Sequence, residues 1–455
     1  MYDEFILKLA NAGKDFLALK KNTVAVISHF DTDGLCAANI MAKALEQENI
    51  SFTKTIVQNI NNDVLDNITE DIVLFLDVGA AKIDAIEEKL TGKKIFVLDH
   101  HESQGNATTI THLNPHLEGI TERNAISGAG VVYFFALGMN AENRALAHFG
   151  VLGALGDTQE KNGFAELNNR ILQHAIIQKS VKVGQRLKLF GLTSRPLVKV
   201  LEYSNDIEIP GVTGSKEGVK NFLDGLRIQY EWKGRLKKWY NLRPYDQEKI
   251  THRILQLKKD VPEKELIVPT YSLVSYDYRR ELNDMKEFAT IVNACGRLEE
   301  YDVAFDALNA DPVGQQHALM QLRLYKSTIY EGLQHVDKLR EEGSLIETEK
   351  YAIINFKDQL RSSLAGVIAS ILARNKIYKE GVVVCTLAQE TKDKDKTKIS
   401  LRLNKDTSGI QLQRILEKVT KEFGADSGGH DHAAGAVINI EDEEAFIKAL
   451  EKALN

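Results

Sequence analysis

Residues 24–34, with the sequence VAVISHFDTDG, join an apolar segment directly to a polar one. The first five residues are apolar and rich in β-branched side chains, which predicts a short buried strand. His29, Asp31 and Asp33 follow at once, and residues 35–47 then have the apolar spacing of a helix. A strand, a polar loop and a helix in this order are typical of α/β sheets, in which ligands bind beyond the carboxyl ends of the strands.

Three further polar clusters occur in the first third of the chain. Each follows or ends an apolar run, and we expect each at the carboxyl end of a buried strand, although the run 145–155 also has the pattern of a buried helix. Strands that are apolar throughout and alternate with helices predict a parallel sheet covered on both faces. The three clusters are Phe75–Gly79, Leu98–His101 and Gly153–Asp157.

The four clusters contain carboxylates and imidazoles but no thiolate. Such ligands favour Mn²⁺ or Mg²⁺ over structural zinc. Because His29, Asp31 and Asp33 alternate along the chain, an extended backbone would point all three to one side. The set holds more donors than one ion needs, so we expect two ions per active site, about 3.5–4 Å apart and bridged by one shared Asp. The candidate metal ligands are His29, Asp31, Asp33, Asp77, His100 and Asp157.

Paired divalent ions are typical of enzymes that hydrolyse phosphoesters. The ions would activate a water molecule and stabilise the charge that grows on the phosphoryl oxygens. No side-chain nucleophile is required. The clusters therefore predict a metal-dependent phosphoesterase.

Composition indicates a globular protein with more than one domain. The chain has 455 residues, of which 43% are hydrophobic, and a net charge of −6. Two or three domains are therefore expected, and bulk charge does not attract a polyanion. The three cysteines are far apart, which favours a reducing, cytoplasmic location. The N-terminus lacks the pattern of a signal peptide and no apolar run is long enough to span a membrane, so we expect no membrane contact.

Changes in residue pattern divide the chain into four parts. Prolines and charged helical segments dominate after about residue 180, helical segments follow, and β-rich runs return from Tyr351. The expected fold class is α/β, with an N-terminal parallel-sheet domain, a mostly helical insert, a long connecting helix and a smaller C-terminal α/β domain. The expected boundaries are 1–180, 181–282, 283–345 and 346–455.

Residues 232–243, within the expected insert, interleave aromatic and basic side chains. This pattern is typical of surfaces that bind single strands of nucleic acid. It also fits a solvent-exposed helix face on which Trp232 and Trp239 are anchors. The sequence alone leaves both interpretations open.

A second candidate site lies near the C-terminus. In Ser427-Gly428-Gly429-His430, backbone N–H groups and the imidazole are suited to holding a phosphate. Arg402, on the preceding predicted strand, would add a fork-shaped phosphate contact. We therefore expect these residues to bind phosphate groups of the substrate.

Together these motifs resemble the DHH phosphoesterase superfamily with its associated DHHA1 domain. In chain order they are H-x-D-x-D-G, an isolated Asp, Asp-His-His, Gly-x-x-x-Asp, S-x-R and G-G-H, and they extend from residue 29 to residue 430. Residues 201–215 and 286–297 further resemble the archaeal RecJ-like nucleases, a group that includes the GINS-associated nuclease.

The resemblance implies a role for each residue. One ion would be held by His29, Asp31 and Asp77, and the other by Asp33, Asp77, His100 and Asp157. His101 would contact the scissile phosphate, and Asp99 would orient a ligand imidazole. Substrate phosphates would be bound from the C-terminal domain, closing over the metals, by Arg402, Ser427, Gly428, Gly429 and His430.

The implied function is a metal-dependent exonuclease that degrades single-stranded DNA or RNA to mononucleotides in replication or repair, with GINS and MCM as expected partners. One alternative is a small-substrate phosphodiesterase acting on nanoRNA or cyclic dinucleotides. Another is a replication-fork scaffold with little activity, the role of the eukaryotic relative of this archaeal group. Bacterial RecJ has an OB-fold and a further C-terminal domain without counterparts in this sequence, so we expect weaker autonomous strand binding.

Overall fold

A computed structural model describes residues 1–19, 23–103, 105, 107–160, 163–189, 191–192, 195–204, 206–275, 277–374, 377–391, 393–403, 409–425 and 427–455. Within them the chain separates into two units, Met1–Leu319 and Met320–Asn455. Each unit has its own sheet with helices packed on it. The α/β class predicted from the sequence is confirmed.

A parallel sheet forms the centre of the N-terminal unit. Its strands are β1 (Val24–His29), β2 (Phe52–Val57), β3 (Ile72–Leu76), β4 (Lys94–Leu98) and β5 (Thr111–Leu113). Their spatial order is β2-β1-β3-β4-β5, so the direction of winding reverses between β1 and β3. At such a reversal the connections leave the sheet on opposite sides and open a crevice beyond the carboxyl ends of the strands.

Helices cover both faces of this sheet. They are α1 (Tyr2–Ala18), α2 (Thr32–Gln47), α3 (Asn62–Asp66), α4 (Ile83–Lys89), α5 (Gly128–Met139), α6 (Ala147–Gly156) and α7 (Glu166–Ile177). On one face α5 packs against α1, α2 and α6, and Phe16, Phe96 and Phe135 form an aromatic cluster with ring centroids 5.6–5.9 Å apart. On the other face Ile83 and Ile86 of α4 pack in one buried cluster with residues of β1 and β3.

The loop after β1 differs from the expected extended backbone. Asp31 is the N-cap of α2, and its carboxylate accepts a hydrogen bond from the Gly34 amide at 3.1 Å. The helix begins at Thr32, so Asp33 lies in its first turn and only His29 lies in the strand. The prediction that the three donors alternate along one strand is therefore wrong. Asp caps a following helix well, and here capping prevails over continuation of the strand.

Asp157 also follows a helix rather than a strand, as the C-cap of α6. The strand prediction for the fourth cluster is therefore wrong, and the alternative of a buried helix is confirmed. α6 is buried almost throughout, and an apolar run of this kind has no polar face from which to recognise a helical or a strand period.

An insert interrupts the N-terminal unit and is closed by one antiparallel ladder. Its elements are β6 (Val181–Leu187), α8 (Leu197–Glu202), α9 (Lys216–Gly225), β7 (Glu231–Trp232), β8 (Arg235–Leu236), α10 (Pro244–Leu257), α11 (Glu263–Leu266) and β9 (Ile267–Leu273). β6 and β9 pair from Val181 opposite Leu273 to Leu187 opposite Ile267. The residues between them have a hydrophobic core of their own, which includes Leu201 and Ile254. The insert thus contains strands in addition to the predicted helices.

The segment 232–243 is not a helix face. It begins in the β7–β8 hairpin and continues through a 3-10 turn at Trp239–Asn241. Trp239 packs against the core of the insert, whereas Trp232 is 57% exposed. The interpretation as a helix with two anchoring tryptophans is therefore wrong, because only one of them is an anchor.

Three helices follow the insert: α12 (Met285–Arg297), α13 (Tyr301–Leu308) and α14 (Pro312–Glu341). α12 supports the start of α2, because the Thr32 hydroxyl donates to the Ala289 carbonyl at 2.8 Å. A Cβ atom at Gly296 would lie 2.0 Å from the carbonyl oxygen of Phe30. The backbone of α12 therefore lies directly against the loop that carries the first polar cluster.

The C-terminal unit is a mixed sheet with helices on both faces. Its elements are β10 (Ile346–Glu347), β11 (Tyr351–Asn355), α15 (Ser362–Arg374), β12 (Val383–Gln389), β13 (Lys396–Leu403), α16 (Leu412–Thr420), β14 (Ser427–His430), β15 (Ala433–Asn439) and α17 (Glu443–Leu454). The spatial order is β10-β11-β12-β13-β15-β14, and among the described strands of this sheet only the β11–β12 pair is parallel. α15 packs on β12 and β13, while α16 and α17 share a buried cluster with the sheet.

Among the described residues, no helix is both long enough and apolar enough to cross a membrane.

Candidate metal centre

His29, Asp31 and Asp77 form the first group of potential metal ligands. His29 ends β1, Asp31 caps α2 and Asp77 follows β3, so the crevice between β1 and β3 brings them together. Nδ1 of His29 lies 3.0 Å from the Asp31 carboxylate and 3.6 Å from the Asp77 carboxylate. One donor atom from each residue lies within 4.8 Å of the other two.

Asp33, His100 and Asp157 form a second group with the same spacing. They come from the first turn of α2, the end of β4 and the end of α6. Nε2 of His100 lies 3.7 Å from the Asp33 carboxylate and 3.2 Å from the Asp157 carboxylate. The same nitrogen is 3.3 Å from Asp77, which forms a third, overlapping group with His100 and His101.

Asp77 belongs to the first and third groups, and it also contacts His100 of the second group. Its Oδ2 faces His29 and its Oδ1 faces His100. The side chain is 1% exposed, and neither oxygen accepts a hydrogen bond from a described residue. Its φ of 57° lies in the left-handed region, which costs a non-glycine residue about 1 kcal/mol or more. A buried, strained carboxylate without donors is unstable unless a cation binds it.

Two glycines allow helices to approach these carboxylates. A Cβ atom at Gly128 would lie 2.4 Å from Oδ1 of Asp77, and one at Gly153 would lie 2.2 Å from Oδ1 of Asp33. The amides of Gly128 and Ala129 donate to Asp33 at 2.6 and 3.0 Å. Asp33 is therefore held by the N-terminus of α5, where backbone N–H groups stabilise negative charge. No local pattern in the sequence indicates this contact.

His100 is oriented by a buried amide pair that the sequence did not single out. The side-chain amide of Gln159 lies 3.3 Å from Nδ1 of His100, and Asn168 donates to Gln159 Oε1 at 2.7 Å. Both amides are at most 5% exposed. They hold the ring so that Nε2 faces the carboxylates. Gln159 is two residues from Asp157 and could have been included in that cluster, whereas Asn168 on α7 has no motif.

Asp99 holds the second histidine of the pair. Its Oδ1 lies 2.8 Å from Nδ1 of His101 and accepts the backbone N–H groups of His100 and His101 at 2.8 and 3.2 Å. Its Oδ2 accepts the amide of Ala80 at 2.9 Å. The imidazole that Asp99 orients is thus His101, which the resemblance places at the scissile phosphate, rather than His100.

Arg297 is a further residue that the sequence did not identify. Its guanidinium lies over the Phe30 ring, 4.7 Å from the ring centre. Burial would raise the pKa of Asp31, but His29, the Gly34 amide and Arg297 together hold it well below its usual value. Arg297 ends α12, one residue after Gly296, which contacts the loop. No local sequence pattern indicates this tertiary contact.

Crowded carboxylates shift the protonation of the centre. Burial alone would lower the pKa of His29, but Asp31 and Asp77 raise it to about 10. Burial also opposes charge on His100, yet the neighbouring carboxylates hold its pKa well above the usual value. Burial and nearby negative charges raise the pKa of Asp33. The metal-free centre therefore retains protons in places where divalent cations would balance the same charge.

The residues present fit hard divalent cations. The donors are carboxylate oxygens and imidazole nitrogens, the set expected for Mn²⁺ or Mg²⁺. Nδ1 of His29, Nε2 of His100 and both carboxylate oxygens of Asp77 are buried and make no well-aligned hydrogen bond with a described residue, although the nitrogens lie 3.0–3.7 Å from carboxylates. Since buried polar atoms are normally paired, these orphaned atoms indicate a missing cationic partner.

Arg402 and His430, the expected phosphate-binding residues of the C-terminal unit, lie on one face of its sheet. Arg402 on β13 and His430 on β14 are both paired with Ala433 on the strand between them, β15. Side chains of paired residues point to the same face of a sheet. Arg402 donates to the Ser370 hydroxyl at 3.0 Å and to the Leu401 carbonyl at 2.8 Å. The structure therefore groups these two residues within that unit.

The glycine run is an edge strand rather than a turn. Ser427, Gly428, Gly429 and His430 form β14 at the end of the sheet, and the last three are exposed. Gly429 has a φ of 139°, and a Cβ there would lie 2.3 Å from the Ala433 carbonyl. Only glycine fits this position, which keeps β14 close to β15.

Three successive parts of the chain match known families. Residues 23–154 match the DHH family, N-terminal domain; residues 189–267 match the DHH-CID domain; and residues 349–455 match the DHHA1 domain. An uncharacterized protein of Methanocaldococcus jannaschii is 25% identical over 463 residues, covering 98% of this chain and 96% of the relative.

Solved structures share the fold over nearly the whole chain. A crystal structure of exonuclease RecJ bound to manganese has 15% identity and a TM-score of 0.57, covering 98% of this chain and 94% of that one. Thermus thermophilus RecJ in complex with Mn²⁺ has 15% identity and a TM-score of 0.58, with 98% and 54% covered. CDC45 from Entamoeba histolytica has 14% identity and a TM-score of 0.63, with 100% and 98% covered.

Proposed function

Because this chain belongs to the DHH superfamily, with DHH, DHH-CID and DHHA1 domains in that order, we propose that it is a metal-dependent nuclease. The observation that carries the proposal is Asp77. This buried carboxylate has no hydrogen-bond donor among the described residues and lies between His29 and His100, from which two sets of metal ligands extend. A carboxylate shared by both sets suits a two-ion phosphoesterase, whose ions lie about 3.5–4 Å apart.

We assign the residues as follows. One ion would be held by His29, Asp31 and Asp77, and the second by Asp33, Asp77, His100 and Asp157. When bound, the ions would supply Lewis-acid chemistry, lowering the pKa of a water molecule and balancing the charge of the phosphoryl group. Asp33 is kept in place by the start of α5, and His100 by Gln159. Mn²⁺ and Mg²⁺ both suit these donors.

His101 is assigned to the scissile phosphate. Burial would lower its pKa, but Asp99 raises it, so the ring carries a positive charge more readily than a free imidazole. Asp99 engages Nδ1 and leaves Nε2 to donate to a phosphate oxygen. The side chain is 46% exposed, which gives a substrate access to it. Its role is to bind and orient the phosphate and to balance charge in the transition state.

We propose that the substrate is single-stranded DNA or RNA, degraded from an end to mononucleotides. Support comes from the fold shared with exonuclease RecJ over nearly the whole chain. Further support comes from Arg402 and His430 on one face of the C-terminal sheet, a pair suited to backbone phosphates. Ser427, Gly428 and Gly429 adjoin them on β14 and are assigned to the same phosphates.

A scaffold role is the second candidate, and the fold shared with CDC45 is compatible with it. GINS and MCM would then be the partners, in addition to or instead of nucleic acid. The metal centre favours catalysis, because burying a strained carboxylate that accepts no hydrogen bond from a described residue is costly unless a metal binds it. A small-substrate phosphodiesterase, acting on nanoRNA or cyclic dinucleotides, would use the same centre on a different substrate.

The test is a time course with single strands labelled at either end, both DNA and RNA, in the presence of Mn²⁺. Asp77→Asn removes the shared charge and should reduce the rate by more than about a hundredfold, since losing residues that merely orient metal ligands costs about 10–100-fold. Asp66→Asn is the matched control, because that carboxylate is 57% exposed and pairs with Lys89 on the same domain.

Three results would decide against the proposal or part of it. Full activity in the Asp77→Asn variant would exclude the shared-carboxylate assignment. Hydrolysis restricted to fragments of a few nucleotides would establish the small-substrate alternative. No hydrolysis of any strand, together with capture of purified GINS or MCM by the wild-type protein, would establish the scaffold.

A further inference from the structure

Positive charge is concentrated in one part of the insert. Residues 227–259 contain ten Lys and Arg but three Asp and Glu, whereas the whole chain has a net charge of −6. A local basic region on an acidic protein attracts polyanions to that region. The β7–β8 hairpin lies within it.

The hairpin presents an indole and a guanidinium side by side. Trp232 and Arg235 are directly opposite each other across the two strands, so their side chains share one face. The turn between them, Lys233-Gly234, has φ values of 49° and 74°, the positive pair of a tight hairpin turn. Trp232 is 57% exposed and Arg235 is also exposed. Together they offer a flat π surface with a cation beside it.

The body of the insert holds this hairpin in place. The Lys237 amide donates to the Tyr230 carbonyl at 2.8 Å, and the Leu197 amide donates to the Lys237 carbonyl at 2.9 Å. Tyr230 and Trp239, on either side, pack against the core of the insert. The exposed indole therefore stands on a supported strand pair rather than on an unsupported loop.

The basic side chains of the hairpin remain available to a ligand. In the described part of the chain, none of Lys233, Arg235, Lys237 and Lys238 forms an ion pair with a carboxylate. Lys237 lies 3.4 Å from the side-chain oxygen of Gln229, and Lys238 lies 5.6 Å from the centre of the Tyr240 ring. Cations alternating with aromatic rings match the backbone and the bases of an unpaired strand.

We propose that this hairpin, residues 230–240, is a binding surface for single-stranded nucleic acid. Trp232 stacks on a base, and the basic side chains bind backbone phosphates. An unpaired strand fits better than a duplex, because a stacked duplex does not offer a base face to the indole. The inference deepens the proposed function, on which it rests for the choice of ligand, by adding a contact outside the metal centre.

The test is the affinity of the full chain for a fluorescein-labelled oligothymidylate of about 20 nucleotides, which is longer than one stacking site. Anisotropy is measured in EDTA, so that no hydrolysis occurs. Trp232→Ala should weaken binding about tenfold, as loss of one stacking aromatic does. The Lys233→Glu/Arg235→Glu variant should also weaken it and lower the slope of log affinity against log salt by about 0.7 for each lost phosphate contact.

Lys216→Glu/Lys220→Glu is the matched control, since both lysines are exposed on α9 of the same insert. It changes the charge equally and should bind like the wild type. If it weakens binding as much as the hairpin variant, or if neither hairpin variant weakens binding, the inference is overturned. If charge reversal weakens binding but Trp232→Ala does not, the surface is a general polyanion site, such as one for an acidic protein segment, and the single-strand assignment is wrong.

A second readout separates this inference from the proposed function. Mn²⁺-dependent hydrolysis of bis(p-nitrophenyl) phosphate needs the metal centre but no long strand, so the hairpin variants should retain it. If the wild-type protein binds the strand through Trp232 but hydrolyses neither the strand nor bis(p-nitrophenyl) phosphate, the proposed activity is excluded and the binding surface stands. If the wild type hydrolyses its substrates but the hairpin variants bind the strand normally, the proposed activity stands and the binding surface is excluded.

Discussion

His29 and His100 hold protons that a divalent cation must displace. In the metal-free centre the carboxylates beside His29 raise its pKa to about 10, so this imidazole is charged at neutral pH. A metal binds only the neutral imidazole, and binding therefore releases protons. Because protons compete with metal below the raised pKa, the apparent affinity for Mn²⁺ should increase as pH rises from 6 toward about 10.

This exchange is measured by calorimetric titration of Mn²⁺ in two buffers that differ in ionisation enthalpy. We expect a buffer-dependent heat that corresponds to about one proton or more at neutral pH. His29→Asn should reduce the number of released protons, whereas His252→Asn, on α10 of the insert, should not. A binding heat that is the same in both buffers would contradict the assignment of a protonated His29.

The ligand residues were predictable from the sequence, whereas their supporting contacts were not. His29, Asp77 and His100 each follow an apolar strand-like run, which placed them at one edge of a parallel sheet. Gln159 and Asn168 support His100 only because α7 packs beside the end of α6, and no local pattern encodes that contact. The Asp31 cap likewise depends on a choice between helix and strand that short spacing does not resolve.

Gly128, the first residue of α5, allows this helix to approach the carboxylates closely, and replacing it tests whether that approach is needed. A Cβ at Gly128 would lie 2.4 Å from Oδ1 of Asp77, and relieving such overpacking costs about 1–3 kcal/mol. Gly128→Ala should therefore lower the melting temperature and weaken Mn²⁺ binding by about tenfold or more. Thermal unfolding with and without Mn²⁺ measures both effects.

Gly225→Ala is the control for this substitution. Gly225 ends α9, and a Cβ there would meet nothing within 4 Å. Alanine is a better helix former than glycine by about 0.8–1 kcal/mol, so this variant should be as stable as the wild type or more so. Normal Mn²⁺ binding by Gly128→Ala would show that α5 can withdraw without disturbing Asp77.

The helices near the metal centre were harder to predict than the strands. α5 and α6 are buried on nearly every side, so they lack the polar face that reveals a helical period. Ser127 caps α5 by accepting a hydrogen bond from the Gly130 amide, and a Ser at this position is a local signal for the start of a helix. The β7–β8 hairpin had no such signal, because Lys233-Gly234 is a less typical turn pair than Asn-Gly.

The insert begins and ends at the β6–β9 ladder, so deleting it tests whether the rest of the chain folds without it. Lys188 and Leu266 follow the last pair of β6 and β9, and the Lys188 amide donates to the Leu266 carbonyl at 2.8 Å. An Asn-Gly turn in place of residues 189–265 should therefore close the ladder as a hairpin. The candidate metal ligands lie outside the deleted segment, and the insert has its own core. We expect the shortened chain to fold and to bind Mn²⁺.

The shortened chain is compared with the full chain by thermal unfolding with and without Mn²⁺. At a metal concentration about 100 times the dissociation constant, each bound ion should add about 2.7 kcal/mol of stability, in the shortened chain as in the full chain. The shortened chain should bind single-stranded nucleic acid more weakly than the full chain does. A chain that no longer unfolds cooperatively would show that the insert is part of the N-terminal core.

The positions of the ligands along the chain imply an order in which the two ions are acquired. The first group is complete at residue 77, whereas the second requires Asp157 to reach Asp33. Closing the longer loop costs more chain entropy and needs α6 in place beside α2. During refolding in Mn²⁺, we therefore expect the spectrum of a single ion in electron paramagnetic resonance to precede that of a coupled pair, and simultaneous appearance of both would contradict this order. A nascent polypeptide would likewise acquire its metals sequentially, in the direction in which it is synthesised.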